Sequence, residues 1–204
     1  MSKEVTDFIA KYANDVIKSV KGKNIFPSIK MAQMIIESSG RDANGKFGIG
    51  KGLAVRKATN YFGIKADRRW AGKKIALSTP KDGKPVSWFR VYNSPLDSML
   101  DHTQFLLKNA RYSTHRVFTA KTPQEQAEAL QRAGYSESPT YSRALIAFIK
   151  AYNLTELDNK KEHHPKRYIL LAGGLLLLTG AIYFKDELKT SYNHLVNNIK
   201  KKKP

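Results

Sequence analysis

The chain has 204 residues, no cysteine, and a formal net charge of +19 at pH 7 with a sequence pI near 10.0. Disulfides, thiolate catalysis and cysteine zinc sites are excluded, and the five histidines show no HExxH-type spacing, so no metal or other cofactor is expected. The basic excess points to a polyanionic partner, for which nucleic acid, anionic lipid and anionic wall polymer all qualify.

The length suits one good-sized domain with an appendage. At the N-terminus, Val5, Phe8, Ile9, Tyr12, Ala13, Val16 and Ile17 recur at helical spacing between charges. That is an amphipathic helix and not the unbroken apolar stretch of a secretory signal. "FPSIKMAQMIIESSG" follows, with Pro27 placed for a first helical turn and Gly40 for a stop. "GRDANGKFGIGKG" is glycine-rich but has no GK[ST] and follows no strand, so it reads as a flexible loop. "KKIAL" and "VSWFRVY" read as the strands of a hairpin around Asp82-Gly83. Ser94 and Pro95 open a helix. Thr122 and Glu125 form a capping box for another, which closes on Gly134. A last amphipathic helix carries Ala144, Leu145, Phe148, Ile149 and Tyr152 on one face.

Composition changes near residue 155. A domain over 1–155 is expected, then a charged linker over 156–167 containing "KKEHHPKR". Residues 168–184, "YILLAGGLLLLTGAIYF", carry no charge over 17 positions, the short end of what a transmembrane helix needs. Tyr168 and Tyr183 are placed for the two interfaces. The tail over 185–204 ends in lysines suited to anionic headgroups. The expectation is an anchor through the C-terminus with no signal peptide. Basic residues flank both ends of the span, so the side of the membrane stays open.

The chemistry starts at Glu37. It sits in the last turn of an apolar helix, where the negative end of the helix dipole disfavours a carboxylate anion. Apolar neighbours add a desolvation penalty of the same sign. Both raise its pKa, as a general acid for glycoside cleavage requires.

Four segments place that glutamate in context. "SIKMAQMIIESSG", "NYFGIKA", "FRVYNSPLDSMLDHTQFL" and "LQRAGYSESPTY" occur in this order. Together they resemble the glucosaminidase family of peptidoglycan hydrolases, glycoside hydrolase family 73, over roughly residues 25 to 155. The resemblance implies a mainly helical α+β, lysozyme-like domain with a small β-hairpin, here followed by a C-terminal hydrophobic helix. It implies hydrolysis of the β-1,4 bond after N-acetylglucosamine in peptidoglycan glycan strands. Glu37 matches the general acid. Asn60, Tyr61, Phe62 and Gly63 fall in the cleft segment. Tyr135 and Tyr141 match the closing segment, with Tyr135 the preferred catalytic tyrosine.

The match loosens at the hairpin. Where many members carry a glutamate, this chain has Lys81, and Asp82 beside it is the candidate second carboxylate. Without one, participation by the substrate's own acetamido group is favoured. Asp101-His102 is read as structural, since adjacent residues on a helix point apart. His102 is expected to bond to backbone. Trp70 and Trp88 are expected in the core or the hairpin packing. Three functions compete. One is a membrane-tethered wall hydrolase of phage lysis or wall remodelling. Another is a non-catalytic virion or secretion component with the same fold. The last is a nucleic-acid binder, for which no motif speaks.

Overall fold

The computed structural model describes residues 2–77 and 87–159. The anticipated N-terminal helix is α1 (Lys3–Val20), and it buries the seven apolar residues that its spacing picks out. Helix α2 (Pro27–Ser38) begins with the proline at its first turn. Unlike an amphipathic surface helix, it is enclosed nearly all round, with Ile29, Lys30, Met31, Ala32, Gln33, Met34 and Ile35 all at 0% exposure. It therefore runs through the middle of the domain, against α1 on one side and α6 and α7 on the other.

The glycine-rich loop contains an unanticipated feature. Gly40–Arg41 (β1) and Phe47–Gly48 (β2) pair antiparallel, so this segment is a second small hairpin. Asp42 closes its turn by accepting from the backbone N–H groups of Asn44 and Lys46. Gly40 is thus a strand residue, not the stop of α2. A side chain there would collide with the Gly52 Cα at 2.6 Å, so glycine is required for the hairpin to lie against the following loop. Helix α3 (Leu53–Ala58) leads to the anticipated hairpin, β3 (Lys74–Ala76) against β4 (Trp88–Arg90), paired Lys74 to Arg90, Ile75 to Phe89 and Ala76 to Trp88. The turn between them, with Lys81 and Asp82, lies outside the described residues.

Helix α4 (Pro95–Lys108) is capped by Ser94, whose Oγ accepts from the Asp97 N–H at 3.1 Å. A short α5 (Ala110–Thr114) follows. Helix α6 (Pro123–Arg132) starts with Thr122 Oγ1 accepting from the Glu125 N–H. The reciprocal half of the capping box differs: Glu125 Oε2 accepts from the N–H of Lys121, not of Thr122. Helix α7 (Tyr141–Ala151) buries Ala144, Leu145, Phe148 and Ile149 as anticipated. A 3₁₀ turn, Leu154–Leu157, packs on α2 and buries both its leucines. The packed domain therefore runs past residue 155 into the segment read as linker. No helix among the described residues is long and apolar enough to cross a membrane. The anticipated span over 168–184 and the basic tail lie outside them.

The hairpin is pinned to α4 by charge. Arg90 Nη1 reaches both carboxylate oxygens of Asp101 at 3.1 and 2.9 Å, and Tyr92 donates to Asp101 Oδ2 at 2.6 Å. The Arg90 guanidinium also lies 4.5 Å from the Trp70 ring centre, and the Trp70 indole N–H donates to the Lys73 carbonyl. Trp70 thus braces the hairpin base. Trp88 packs on the hairpin and not in the core: it is 44% exposed, with the Lys74 ammonium of the paired strand 5.3 Å from its ring centre.

Candidate active site

Between the serines at its two ends, helix α2 is apolar except for Lys30, Gln33 and Glu37. Their spacing of three and four residues puts them along one stripe of the helix. Lys30 on that stripe meets α4, and Gln33 and Glu37 meet the start of α7. Gln33 Nε2 donates to the Tyr141 hydroxyl at 3.2 Å, and Tyr141 donates to Glu37 Oε1 at 3.0 Å. Tyr141 is thereby oriented from one side and presents its proton to the carboxylate on the other. Gln33 Oε1 is buried without a partner among the described residues.

Glu37 is half-buried at the end of α2. Burial pushes its carboxyl up to about 7, against the opposing pull of the Tyr141 hydrogen bond. Loss of solvation outweighs a single neutral donor, because the anion is the form that loses hydration. The group is therefore poised to exchange a proton near neutral pH.

Tyr135 stacks on Tyr141, with ring centres 5.3 Å apart and planes 19° apart. Its place is set by the end of α6. Gly134 adopts φ +67°, its N–H bonds to the Gln131 carbonyl, and the Tyr135 N–H bonds back to the Leu130 carbonyl. This is a Schellman ending, and it turns the chain sharply enough to bring Tyr135 back to the site. Burial and the nearby Glu37 charge both push the Tyr135 and Tyr141 hydroxyls upward, so each stays a proton donor.

The structure thus brings Glu37, Tyr135 and Tyr141 together. The segment 60–63 behaves differently. Asn60 is fully buried and spends its amide on backbone: Nδ2 donates to the Ile64 and Arg90 carbonyls, and Oδ1 accepts from the Ile64 N–H. It ties the loop to β4. Tyr61 is turned towards α1, where its hydroxyl meets that of Tyr12 at 2.7 Å. Gly63 occupies a left-handed turn at φ +61°. Phe62 lies flat on His102, with ring centres 3.9 Å apart and planes 9° apart. In these contacts Asn60 and Tyr61 serve the fold. Asp82 lies outside the described residues.

Sequence reasoning did not place Lys30 or His102 beside Tyr135. His102 bonds to two side chains, not to backbone as anticipated: Nδ1 lies 2.7 Å from Lys30 Nζ and Nε2 lies 2.9 Å from the Tyr135 hydroxyl. Asp101 points to Arg90 and Tyr92, so adjacency made no dyad. The polar stripe of α2 aligns Lys30 with Glu37 but does not show that Lys30 is buried. Among the described residues no cluster of His, Asp and Glu could hold a metal ion.

Comparison with known proteins agrees with this architecture. The profile of the glucosaminidase family, described as mannosyl-glycoprotein endo-beta-N-acetylglucosaminidase, matches residues 13–154. The peptidoglycan hydrolase FlgJ of Salmonella typhimurium is 30% identical over 159 residues, covering 74% of this chain and 47% of that protein. The chain thus spans less than half the length of that relative. Among solved structures, the catalytic domain of the autolysin Auto from Listeria monocytogenes superposes with a TM-score of 0.61 at 26% identity, covering 78% of this chain and 89% of that one. A truncated glycoside hydrolase domain of Salmonella typhimurium FlgJ gives a TM-score of 0.55 at 28% identity, covering 73% and 97% respectively. With the family profile spanning most of the described domain, this chain belongs to the glucosaminidase family of glycoside hydrolases.

Proposed function

We propose that the chain is a peptidoglycan hydrolase that cleaves the β-1,4 bond after N-acetylglucosamine, with Glu37 as general acid. The observation that carries this reading is the Glu37 carboxyl, pushed up to about 7 by burial and held by Tyr141 at 3.0 Å. A carboxyl in that range is protonated often enough near neutral pH to donate, and its anion is basic enough to take the proton back.

In the first step the Glu37 proton passes to the glycosidic oxygen as the C1–O bond breaks. The substrate's acetamido oxygen bonds to C1 from the opposite face, taking the place of a second carboxylate. Water then attacks C1, the acetamido bond opens, and Glu37 accepts the proton released. Tyr135 and Tyr141, the other groups gathered at the carboxyl, are assigned to the sugar and to the developing charge. The reading extends to a membrane tether over 168–184, in phage or prophage lysis or in wall remodelling, on the strength of that uncharged stretch and the basic tail.

The test is product analysis of purified peptidoglycan digested by the full chain and by Glu37→Gln. New reducing ends on N-acetylglucosamine, lost in the variant, are expected. Ends on N-acetylmuramic acid would keep the cleft and change the bond. No products from a folded, wall-binding chain would favour a non-catalytic component.

A further inference from the structure

The geometry points to Lys30 and His102 as positioning residues for Tyr135: Lys30 holds His102 as the Nε2–H tautomer, so His102 donates to the Tyr135 oxygen and leaves the tyrosine proton free for the cleft. The inference rests on the reading of Tyr135 as a catalytic-site residue, and it adds two residues that reading does not use.

The argument begins with an oddity of the core. Lys30 is 0% exposed in the middle of the domain, and His102 is likewise 0% exposed. Burying an ammonium costs several kcal/mol unless it is well partnered, so a lysine at this point of an apolar helix needs a reason. Its partners are few and directional. Nζ donates to the Met99 carbonyl at 3.2 Å, lies 2.7 Å from His102 Nδ1, and sits 5.1 Å from the Phe62 ring centre. Burial pushes the Lys30 amine well below its ordinary range, and the nearby Asp101 charge only partly opposes it.

Nζ gives one proton to the Met99 carbonyl and, as ammonium or amine, keeps at least one more to donate. Given to His102 Nδ1, that proton makes Nδ1 the acceptor and puts the ring proton on Nε2. Burial and the Lys30 charge both push His102 below its ordinary range, so the ring stays neutral and carries one proton only. At Nε2 that proton faces the Tyr135 hydroxyl at 2.9 Å, and the two rings meet edge-on at 80°. Phe62, stacked flat on the imidazole, keeps the ring in plane. A phenol oxygen that accepts this bond must point its own proton elsewhere, towards the side where Tyr141 and Glu37 stand. The opposite tautomer would reverse the sense: Tyr135 would donate to Nε2 and have no proton left for a ligand.

The decisive measurement is the ¹⁵N shift pair of His102 in the full chain labelled on histidine, assigned by its disappearance in His102→Gln. A pyrrole-type Nε2 with a pyridine-type Nδ1 is expected. The reverse pattern in the wild type would overturn the proposal. Lys30→Met should move His102 towards the other tautomer. It should lower kcat on glycan strands on the order of 10- to 100-fold with little change in KM. In a Tyr135→Phe background the same Lys30 change should lower kcat no further, since the group it orients is gone. A full additional loss in that background, from a folded double variant, would show that Lys30 acts by another route and overturn the proposal. Should the wild type cleave no peptidoglycan at all, the proposed function falls, and the tautomer and its dependence on Lys30 still decide this inference.

Discussion

At the scale of single residues, the site is built by withholding solvent from groups that want it. Glu37 shows the cost. Its ordinary carboxyl value is 4.5, and in the folded chain it stands at about 7. The folded state therefore binds the proton more tightly than the unfolded state does. Stability falls as pH rises from about 4.5 to about 7 and is level above that. The gap corresponds to at most roughly 3 kcal/mol, less whatever the exposed part of the residue recovers from solvent. Glu37→Gln is accordingly expected to melt above the wild type at pH 8, with the difference closing towards pH 4.5. Equal melting temperatures at pH 8 would mean that the carboxylate is not desolvated. The same proton should appear in catalysis, with kcat/KM falling as pH rises through about 7. Tyr141→Phe removes the one neighbour that stabilises the anion, so that descending limb should move to higher pH. A limb that stayed in place would detach Tyr141 from Glu37's proton. Glu37 was singled out in the sequence by the four family-like segments around it, since a lone carboxylate near a helix end is by itself weak evidence. Lys30 was not, because one lysine in a helix is ordinarily solvated, and only three-dimensional enclosure shows that this one is not.

At the scale of elements, periodicity and capping residues carried most of the reading, and the exceptions share a cause. Helix α1 buries the residues its spacing picks out, and Ser94 and Thr122 cap as their positions suggest. The β1–β2 hairpin was read as a loop because two-residue strands leave no alternation to detect. The 60–63 segment matches the family's cleft segment, but pattern alone does not say that the Asn60 amide is spent on backbone. Gly134 shows how an element's end places Tyr135 beside Tyr141. It holds φ +67°, and a side chain there would meet nothing within 4 Å, so the cost of Gly134→Ala is backbone strain, about 1–2 kcal/mol. Gly22, at φ +68° after α1 and equally open, should cost the same. The two variants should therefore have similar melting temperatures, whereas only Gly134→Ala should lose turnover, because only there does relaxing the turn move Tyr135. Equal activity in both would separate the Schellman ending from the site.

At the scale of the whole molecule, the last described residues are tied to the start of the helix that carries Glu37. The first turn of α2 has no side-chain cap of its own, since Phe26 precedes Pro27. Asp158 supplies one from 130 positions away: Oδ1 accepts from the Ser28 N–H at 2.8 Å and Oδ2 from the Ser28 hydroxyl at 2.7 Å. No local pattern could have shown this, and it is why a boundary drawn at 155, where charge begins to accumulate, falls short of the packed domain. A carboxylate at a helix N-terminus satisfies an orphan donor and opposes the helix dipole. Asp158→Ala should thus cost about 1–2 kcal/mol, a fall of roughly 2–8 °C in Tm for a domain of this size. Asp158→Asn keeps an acceptor without the charge, so it should lose less. Glu37 lies at the far end of the same helix, some 14 Å from Ser28 at about 1.5 Å per residue. Its burial is set by α7 and the turn after α6, not by the cap. Turnover at 25 °C and the pH limb near 7 should therefore be unchanged in Asp158→Ala. A shifted limb would instead show that the cap and the acid are coupled through the helix. The domain's last packed residues would then be part of its active site and not only of its stability.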